Sequence, residues 1–238
     1  FILEANPRAS RTMPFVAKVT GNQIIKAGTL LMLGYSIDEV RNKTKYLSSS
    51  SNKVAIKKAI FPWSRFPAED TMLGPEMKAT GEVLGVGKEF GTALNKAYAA
   101  AGVEINNKEK GIFVTLSDSE KPNFIKTVNK YLELGFTLYS TEGTGKFLKT
   151  NGIDSVIVGK ADDLGQTSLT IIEDKLVSLV INTPTYANEL SDGWKIRRLS
   201  HETGVAVVSS VREADAFIEA FLNQNLVLDD LEVIQDVS

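Results

Sequence analysis

From residue 111 onward, short apolar runs alternate with amphipathic stretches, and no other feature of the chain restricts its fold as much. Strands are expected over 112–116, 136–140, 156–158, 176–181 and 205–208. Between the first two, Phe124, Ile125, Val128, Tyr131 and Leu132 recur at helical spacing, and Gly135 ends the run. A short helix is expected over 146–150. Ser117-x-x-Glu120 and Ser210-x-x-Glu213 read as capping boxes, the second opening a helix that carries Ala214, Phe217, Ile218 and Phe221. Strands joined through helices pair in parallel with right-handed crossovers. The fold class is therefore α/β: a doubly wound parallel sheet covered on both faces, of roughly 130 residues, a size that folds alone.

The first hundred residues lack this rhythm. A helix over 22–33 is closed by Gly34, Ser36-x-x-Glu39 caps a short turn, and a strand is expected over 54–61. Val83, Val86, Phe90, Leu94 and Ala97 predict one long amphipathic helix over 80–99. Trp63 and Phe66 read as core residues. The polar stretch 102–110 ends the helical pattern, which divides the chain into domains 1–105 and 106–238.

At the N-terminus, Phe1-Ile2-Leu3 reads as a buried strand with Glu4 and Asn6 on one face at its end. Two oxygen-bearing side chains so placed suit a hard cation such as Mg²⁺ carrying phosphates, and Arg8 and Arg11 suit a clamp on phosphate oxygens. Nothing precedes this strand, and there is no initiator Met, so the chain reads as a fragment of a larger enzyme. An unpaired strand edge would favour a homo-oligomer.

Composition removes several classes. With 27 basic and 29 acidic residues, the net charge of −2 gives no reason to expect nucleic acid as a partner. No apolar run is long enough for a membrane span. Zero cysteines exclude disulfides and thiol chemistry, and a single His argues against a Ser-His-Asp triad or a His-rich metal site.

Ligands of open parallel sheets sit beyond the carboxyl ends of the strands. Placed there are Thr115 and Lys121, the run Thr141-Glu142-Gly143-Thr144-Gly145, then Lys160, then Asn182-Thr183-Pro184-Thr185. Glycines let backbone approach an anion, and a following helix N-terminus offers free N–H groups. The set looks built to hold a phosphorylated ligand. Asp118, Asp162 and Asp163 are the available bases, while His201 falls on a helix away from the strand ends. Arg197-Arg198 reads equally as a ligand or partner contact and as a solvated helix face.

Three stretches carry a resemblance. FILEANPRASRTMPFVAKVTG resembles the end of the second ATP-grasp unit of the carbamoyl-phosphate synthase large subunit, and LGPEMKATGEVLGVGKEFGTALNKA resembles the segment after it. The chain from about Gly111 looks like that family's methylglyoxal-synthase-like allosteric domain. The resemblance implies the C-terminal remnant of an ATP-grasp unit followed by that domain. It implies a cytoplasmic ligase making carbamoyl phosphate from bicarbonate, two ATP and ammonia delivered by a glutamine amidotransferase small subunit, for pyrimidine or arginine synthesis. Glu4 and Asn6 would be Mg²⁺ or Mn²⁺ ligands, and Arg8 and Arg11 catalytic phosphate contacts. UMP is the usual inhibitor, with IMP or phosphoribosyl pyrophosphate activating some members. Thr115, Lys121, Thr141, Gly143, Thr144, Lys160, Asn182 and Thr183 would be the effector-binding residues. Pro184 departs from a hydroxyl position of some members. Lys58, Val207 and Ser209 stand where the ornithine-activated members carry a glutamate, a tyrosine and a threonine, so no ornithine activation is expected. The rival readings are a stand-alone lyase of the methylglyoxal-synthase fold, which needs a His beside its carboxylate base, and a plain phosphometabolite sensor.

Overall fold

A computed structural model describes residues 12–45, 53–61, 63, 71, 81–103, 105, 111–184 and 191–223, with 2, 5, 7, 8 and 10 near the N-terminus. Of the buried strand expected over residues 1–3 only Ile2 is described, and it is 92% exposed and in no strand; Glu4, Asn6, Arg11, Phe66 and Thr185 lie outside the described residues. Three short helices come first: α1 (Thr12–Thr20), α2 (Ile24–Met32) and α3 (Ile37–Lys43). Gly34 takes φ +91 just past α2, a conformation that costs glycine little and other residues more. The expected capping box opens α3: the Ser36 hydroxyl accepts from the Glu39 N–H at 3.3 Å, and the Glu39 carboxylate accepts from the Ser36 N–H at 2.8 Å.

Strands β1 (Val54–Ile60) and β2 (Gly81–Gly87) form an antiparallel pair, with Val54 opposite Gly87 and Ile60 opposite Gly81. Helix α4 (Phe90–Ala100) then packs across them. The single helix expected over 80–99 is thus corrected to a strand and a helix. Gly81, Gly85 and Gly87 recur at period two, and two of them explain the change. A Cβ on Gly85 would lie 2.1 Å from the Ala93 carbonyl oxygen, and one on Gly87 2.8 Å from the Ala93 nitrogen. The strand can lie this close under α4 only because it has no side chains there.

The rest is the expected α/β domain: β3 (Gly111–Thr115), α5 (Lys121–Glu133), β4 (Leu138–Ser140), α6 (Glu142–Thr150), β5 (Val156–Ile157), α7 (Thr170–Glu173), β6 (Val177–Asn182), α8 (Asp192–Thr203), β7 (Ala206–Val208) and α9 (Val211–Leu222). All five strands run parallel in the order β5-β4-β3-β6-β7. Side chains alternate between two cores. Ile112, Val114, Leu179 and Ile181 point into one, with α5, α6 and α9; Phe113 and Val180 point into the other, with Ile171, Ile172 and Ile196. The β3–β6 register slips between Gly111 and Ile112, so Val177 faces the second core although Leu179 faces the first.

Two helix starts differ from expectation. Helix α6 begins at Glu142, so the glycine-bearing run expected as a loop is its first turn. Ser117-x-x-Glu120 is a turn in which the Glu120 N–H donates to the Ser117 carbonyl; α5 starts after it, without a side-chain cap and with Pro122 in its first turn. Ser210 caps α9 as expected, its hydroxyl accepting from the Glu213 N–H at 3.2 Å. The Glu213 carboxylate accepts from the Ser209 N–H at 3.0 Å and not from that of Ser210, so the reciprocal half of the box is shifted by one residue.

Helix α4 ties the N-terminal region to this domain. Asn95 Nδ2 donates to the carbonyls of Ala220 at 2.8 Å and Asn223 at 2.9 Å, Leu94 joins the first core, and Tyr98 meets Phe217 edge-on at 4.8 Å. Among the described residues no helix is long and apolar enough to cross a membrane, and no group of three or more His, Cys, Asp or Glu is placed to hold a metal ion.

Candidate functional site

After β3 the chain builds outward through β4 to β5, then returns to the other side of β3 for β6. The two directions of winding part between β3 and β6, and that is where a crevice opens in such sheets. Two adjoining clefts lie at these strand ends and share Thr115, Asp192 and Gly193.

The larger cleft, about 750 Å³, includes Thr115, Thr141, Gly143 and Lys160, four of the residues expected from sequence. Thr141 is the N-cap of α6 in backbone conformation, but its hydroxyl caps no N–H and instead donates to Thr144 Oγ1 at 3.3 Å. The first-turn N–H groups of α6 are therefore left to meet an anion. Nothing lies within 4 Å of where a Gly143 Cβ would be, whereas one on Gly145 would meet Ile157 at 2.0 Å. Gly145 brings α6 onto β5, and Gly143 keeps the cleft open.

The charge of this cleft is mixed. Lys146, Lys149 and Lys160 are matched by Glu142, Asp154, Asp163 and Asp192. Lys146 pairs with Glu142 at 2.6 Å, and that hydrogen bond, with the Lys146 charge, holds the Glu142 carboxyl below its usual range. Asp163 accepts from the Lys160 backbone N–H at 2.7 Å and closes the turn that presents the Lys160 side chain. Ile157, Val158 and Ile196 supply an apolar stretch of wall.

The smaller cleft, about 270 Å³, contains Asn182 and Thr183. Both are almost fully buried and already engaged. Asn182 Oδ1 accepts from Arg197 at 2.6 Å, and Thr183 Oγ1 accepts from the Ser117 N–H at 2.7 Å. Arg197 itself lines this cleft and is 6% exposed, so the solvated-face alternative for it is set aside. Helix α8, capped by Ser191, carries it there, and Gly193 one turn earlier leaves it room: a Cβ at 193 would sit 3.1 Å from the guanidinium. Arg198 is 7% exposed and pairs with Glu202 at 2.6 Å.

Two expected residues line neither cleft. Thr144 is buried, its hydroxyl accepting from the Leu116 N–H at 3.1 Å, so it fastens the loop after β3 to α6. Lys121 pairs with Asp118 at 2.6 Å, which draws the Asp118 carboxyl downward. Arg8 is an exposed residue in an N-terminal bend. Sequence reasoning passed over Asp192, Lys146, Lys149 and Ser168 as cleft residues, and left Arg197 undecided. For Arg197 the available signal was Gly193-x-x-x-Arg197, a small residue beneath a long cation on one helix face.

At the junction of α4, β1 and β7 a cavity of about 80 Å³ contains Lys58, Tyr98, His201 and Val207. The Lys58 ammonium lies 4.0 Å from the centre of the Tyr98 ring. Burial draws the Lys58 amine down, against the opposing pull of Glu213, and drives the Tyr98 hydroxyl far above its usual range.

The MGS-like domain family matches residues 123–209, which include every residue of the larger cleft but Thr115 and four of the five strands of the sheet. The C-terminal section of the carbamoyl phosphate synthase large chain of Aquifex aeolicus is 37% identical over 234 residues, covering 92% of this chain and 43% of that protein. The corresponding section from Methanocaldococcus jannaschii is 37% identical over 228 residues, covering 92% and 37%. The large chain of Nostoc sp. is 34% identical over 236 residues, covering 99% of this chain and 21% of its own length. The chain thus spans less than half the length of these relatives. Likeness of this extent, with an MGS-like domain built as a five-stranded parallel sheet, makes the chain a member of the carbamoyl phosphate synthase large-chain family, corresponding to its C-terminal section.

Proposed function

We propose that this chain is the regulatory end of a carbamoyl phosphate synthase and that its larger cleft binds a nucleotide effector. The mixed lining of that cleft carries the reading. A nucleotide needs cations and N–H groups for its phosphate, hydrogen-bond acceptors for its ribose hydroxyls, and an apolar wall for its ring. The α6 N-terminus with Thr141, Gly143 and Lys160 suits the first; Asp192 and the other carboxylates suit the second; Val158 and Ile196 suit the third. Thr115, shared by both clefts, and Asn182 and Thr183 beside it extend the polar end. Lys121 and Thr144 act behind this surface. UMP is the expected inhibitor, with IMP or phosphoribosyl pyrophosphate as the alternative effector.

In the whole protein, bicarbonate, two ATP and glutamine-derived ammonia from a small amidotransferase subunit would yield carbamoyl phosphate in the cytoplasm. Glu4 and Asn6 would hold Mg²⁺ or Mn²⁺ at the carbamate-phosphorylating unit, with Arg8 and Arg11 on the phosphates. Residues 1–105 would belong to that unit and 106–238 to the regulatory domain. Regulation is then a coupling energy of about 1–3 kcal/mol between the cleft and the distant ATP site, and α4, packed on both β2 and α9, adjoins both parts. The lyase reading is weaker because the single His lines the junction cavity instead of the cleft.

Calorimetric titration with UMP and IMP, on the chain and on a Lys160→Ala variant, tests the reading. Saturable binding weakened at least about tenfold in the variant is expected, as for loss of one charge-assisted contact. No binding of either nucleotide to the folded chain would sink it.

A further inference from the structure

Among the described residues, four buried side-chain polar atoms have no hydrogen-bond partner: Thr71 Oγ1, Asn95 Oδ1, Ser168 Oγ and Trp194 Nε1. Ser168 lines the larger cleft; the other three line neither cleft. Its surroundings make the missing partner informative. Ser168 is 1% exposed, and its backbone N–H donates to the Gly159 carbonyl at 3.0 Å, beside a parallel bridge between Gly159 and Thr167. The neighbouring hydroxyls are satisfied: Thr167 Oγ1 accepts from the Thr170 N–H at 3.2 Å, and Thr170 Oγ1 accepts from the Thr167 N–H at 2.9 Å. The turn can pair its hydroxyls, and Ser168 alone is left over.

The cleft that Ser168 lines also has an apolar stretch of wall. Val158 and Ile196 belong to the second core, and Ile157 borders the same space. A buried hydroxyl is unfavourable until something pairs with it. The phosphate-holding groups, Thr141, Gly143 and Lys160, line the same cleft. One ligand class meets both surfaces: an anionic phosphate joined to a flat heterocycle with carbonyl or N–H groups on its edge.

We infer that Ser168 is a specificity-determining residue of this cleft, exchanging a hydrogen bond with the polar edge of a heterocyclic ring packed on Val158 and Ile196. This rests on the nucleotide reading of the cleft. The backbone of Ser168 is held by its bond to Gly159, so rotation about χ1 is the one freedom the hydroxyl needs. The residue discriminates nucleotides from base-free sugar phosphates, because only the former relieve the unpaired hydroxyl.

The test is calorimetry on the chain with UMP, IMP and ribose 5-phosphate, for the unaltered protein, Ser168→Ala and Ser168→Cys, with thermal melting of each. Expected is a roughly tenfold loss of affinity for UMP or IMP in Ser168→Ala, the size of one hydrogen bond to a ligand. Ribose 5-phosphate should bind both alike, and the alanine variant should melt no lower than the parent. Should the alanine variant fail to fold, the nearly isosteric cysteine, a poor hydrogen-bonding partner, must show the same selective loss. Undiminished binding of both nucleotides by a folded variant overturns the role of Ser168 and leaves the nucleotide reading standing. Absence of nucleotide binding by the unaltered protein overturns both.

Discussion

Thr141 and Thr144 stand three residues apart at the head of α6, and their surroundings separate a ligand-facing hydroxyl from one that holds the fold. Thr141 lines the cleft, whereas Thr144 is buried and accepts the Leu116 N–H. Replacing Thr144 by Val removes that acceptor and strands a buried N–H. The expected loss is about 1–3 kcal/mol by urea denaturation, with UMP affinity falling far less than in Lys160→Ala. Gly143→Val reverses the pattern. Its Cβ enters open space, so the melting temperature should hold, while the branched side chain fills the cleft and abolishes UMP binding in the same titration. At this scale the hydroxyls and glycines were legible because phosphate binding demands those residue types at strand ends. Arg197 was legible only through a small residue one turn before a long cation, and the run of two arginines does not tell that both are buried. Its role follows from where α8 crosses β6, a tertiary fact that brings it to Asn182.

Elements were read well where one period dominated and badly where two competed. The five parallel strands are short apolar runs bounded by turns, and the two cores on either face of the sheet explain why they carry little polar alternation. Over 81–100, the valines and leucines fit a helix and the glycines fit a strand. The helical period of the apolar residues hides the strand, because glycines carry no apolar signal of their own. Gly85 settles the matter physically, since helix and strand backbones meet at its bare Cα. Gly85→Ala is therefore expected to destabilise by more than the ~1–3 kcal/mol typical of overpacking, because backbone atoms of Ala93 and Ala97, and not a movable side chain, occupy the space. Denaturant midpoints of Gly85→Ala and Gly28→Ala give the comparison. Gly28 has nothing within 4 Å and sits inside α2, where alanine is the better helix former, so that change should be neutral or stabilising.

Across the whole molecule, the N-terminal region and the α/β domain meet through α4, and the junction cavity beside it is governed by cations. Lys58 already sits over the Tyr98 ring, so a cationic ligand such as ornithine would meet like charge in a space of about 80 Å³. Titration of the chain with ornithine should give no saturable heat. The same junction sets a pH dependence through His201, whose ring centre lies 5.9 Å from that of Trp63. Burial, then the charges of Lys58, Arg198 and Arg197, hold its imidazole down to about 4, although part of the side chain remains exposed. In the unfolded chain the group titrates near 6.5. Between these values the unfolded state binds a proton that the folded state refuses, so stability rises with pH across the window. Its contribution is whole above about pH 6.5 and is lost as the pH falls toward 4. The carboxylates whose ionised forms are favoured, Glu39, Asp118 and Glu142, act in the same direction but only below their unfolded values of 4.5, 3.8 and 4.5. Melting curves between pH 7 and pH 5 therefore isolate the histidine. The parent should lose stability over that range, and His201→Gln, which cannot take up the proton, should show a flatter profile. Equal slopes for the two proteins would mean that the junction leaves His201 free to protonate, and that the cations around it are screened by water.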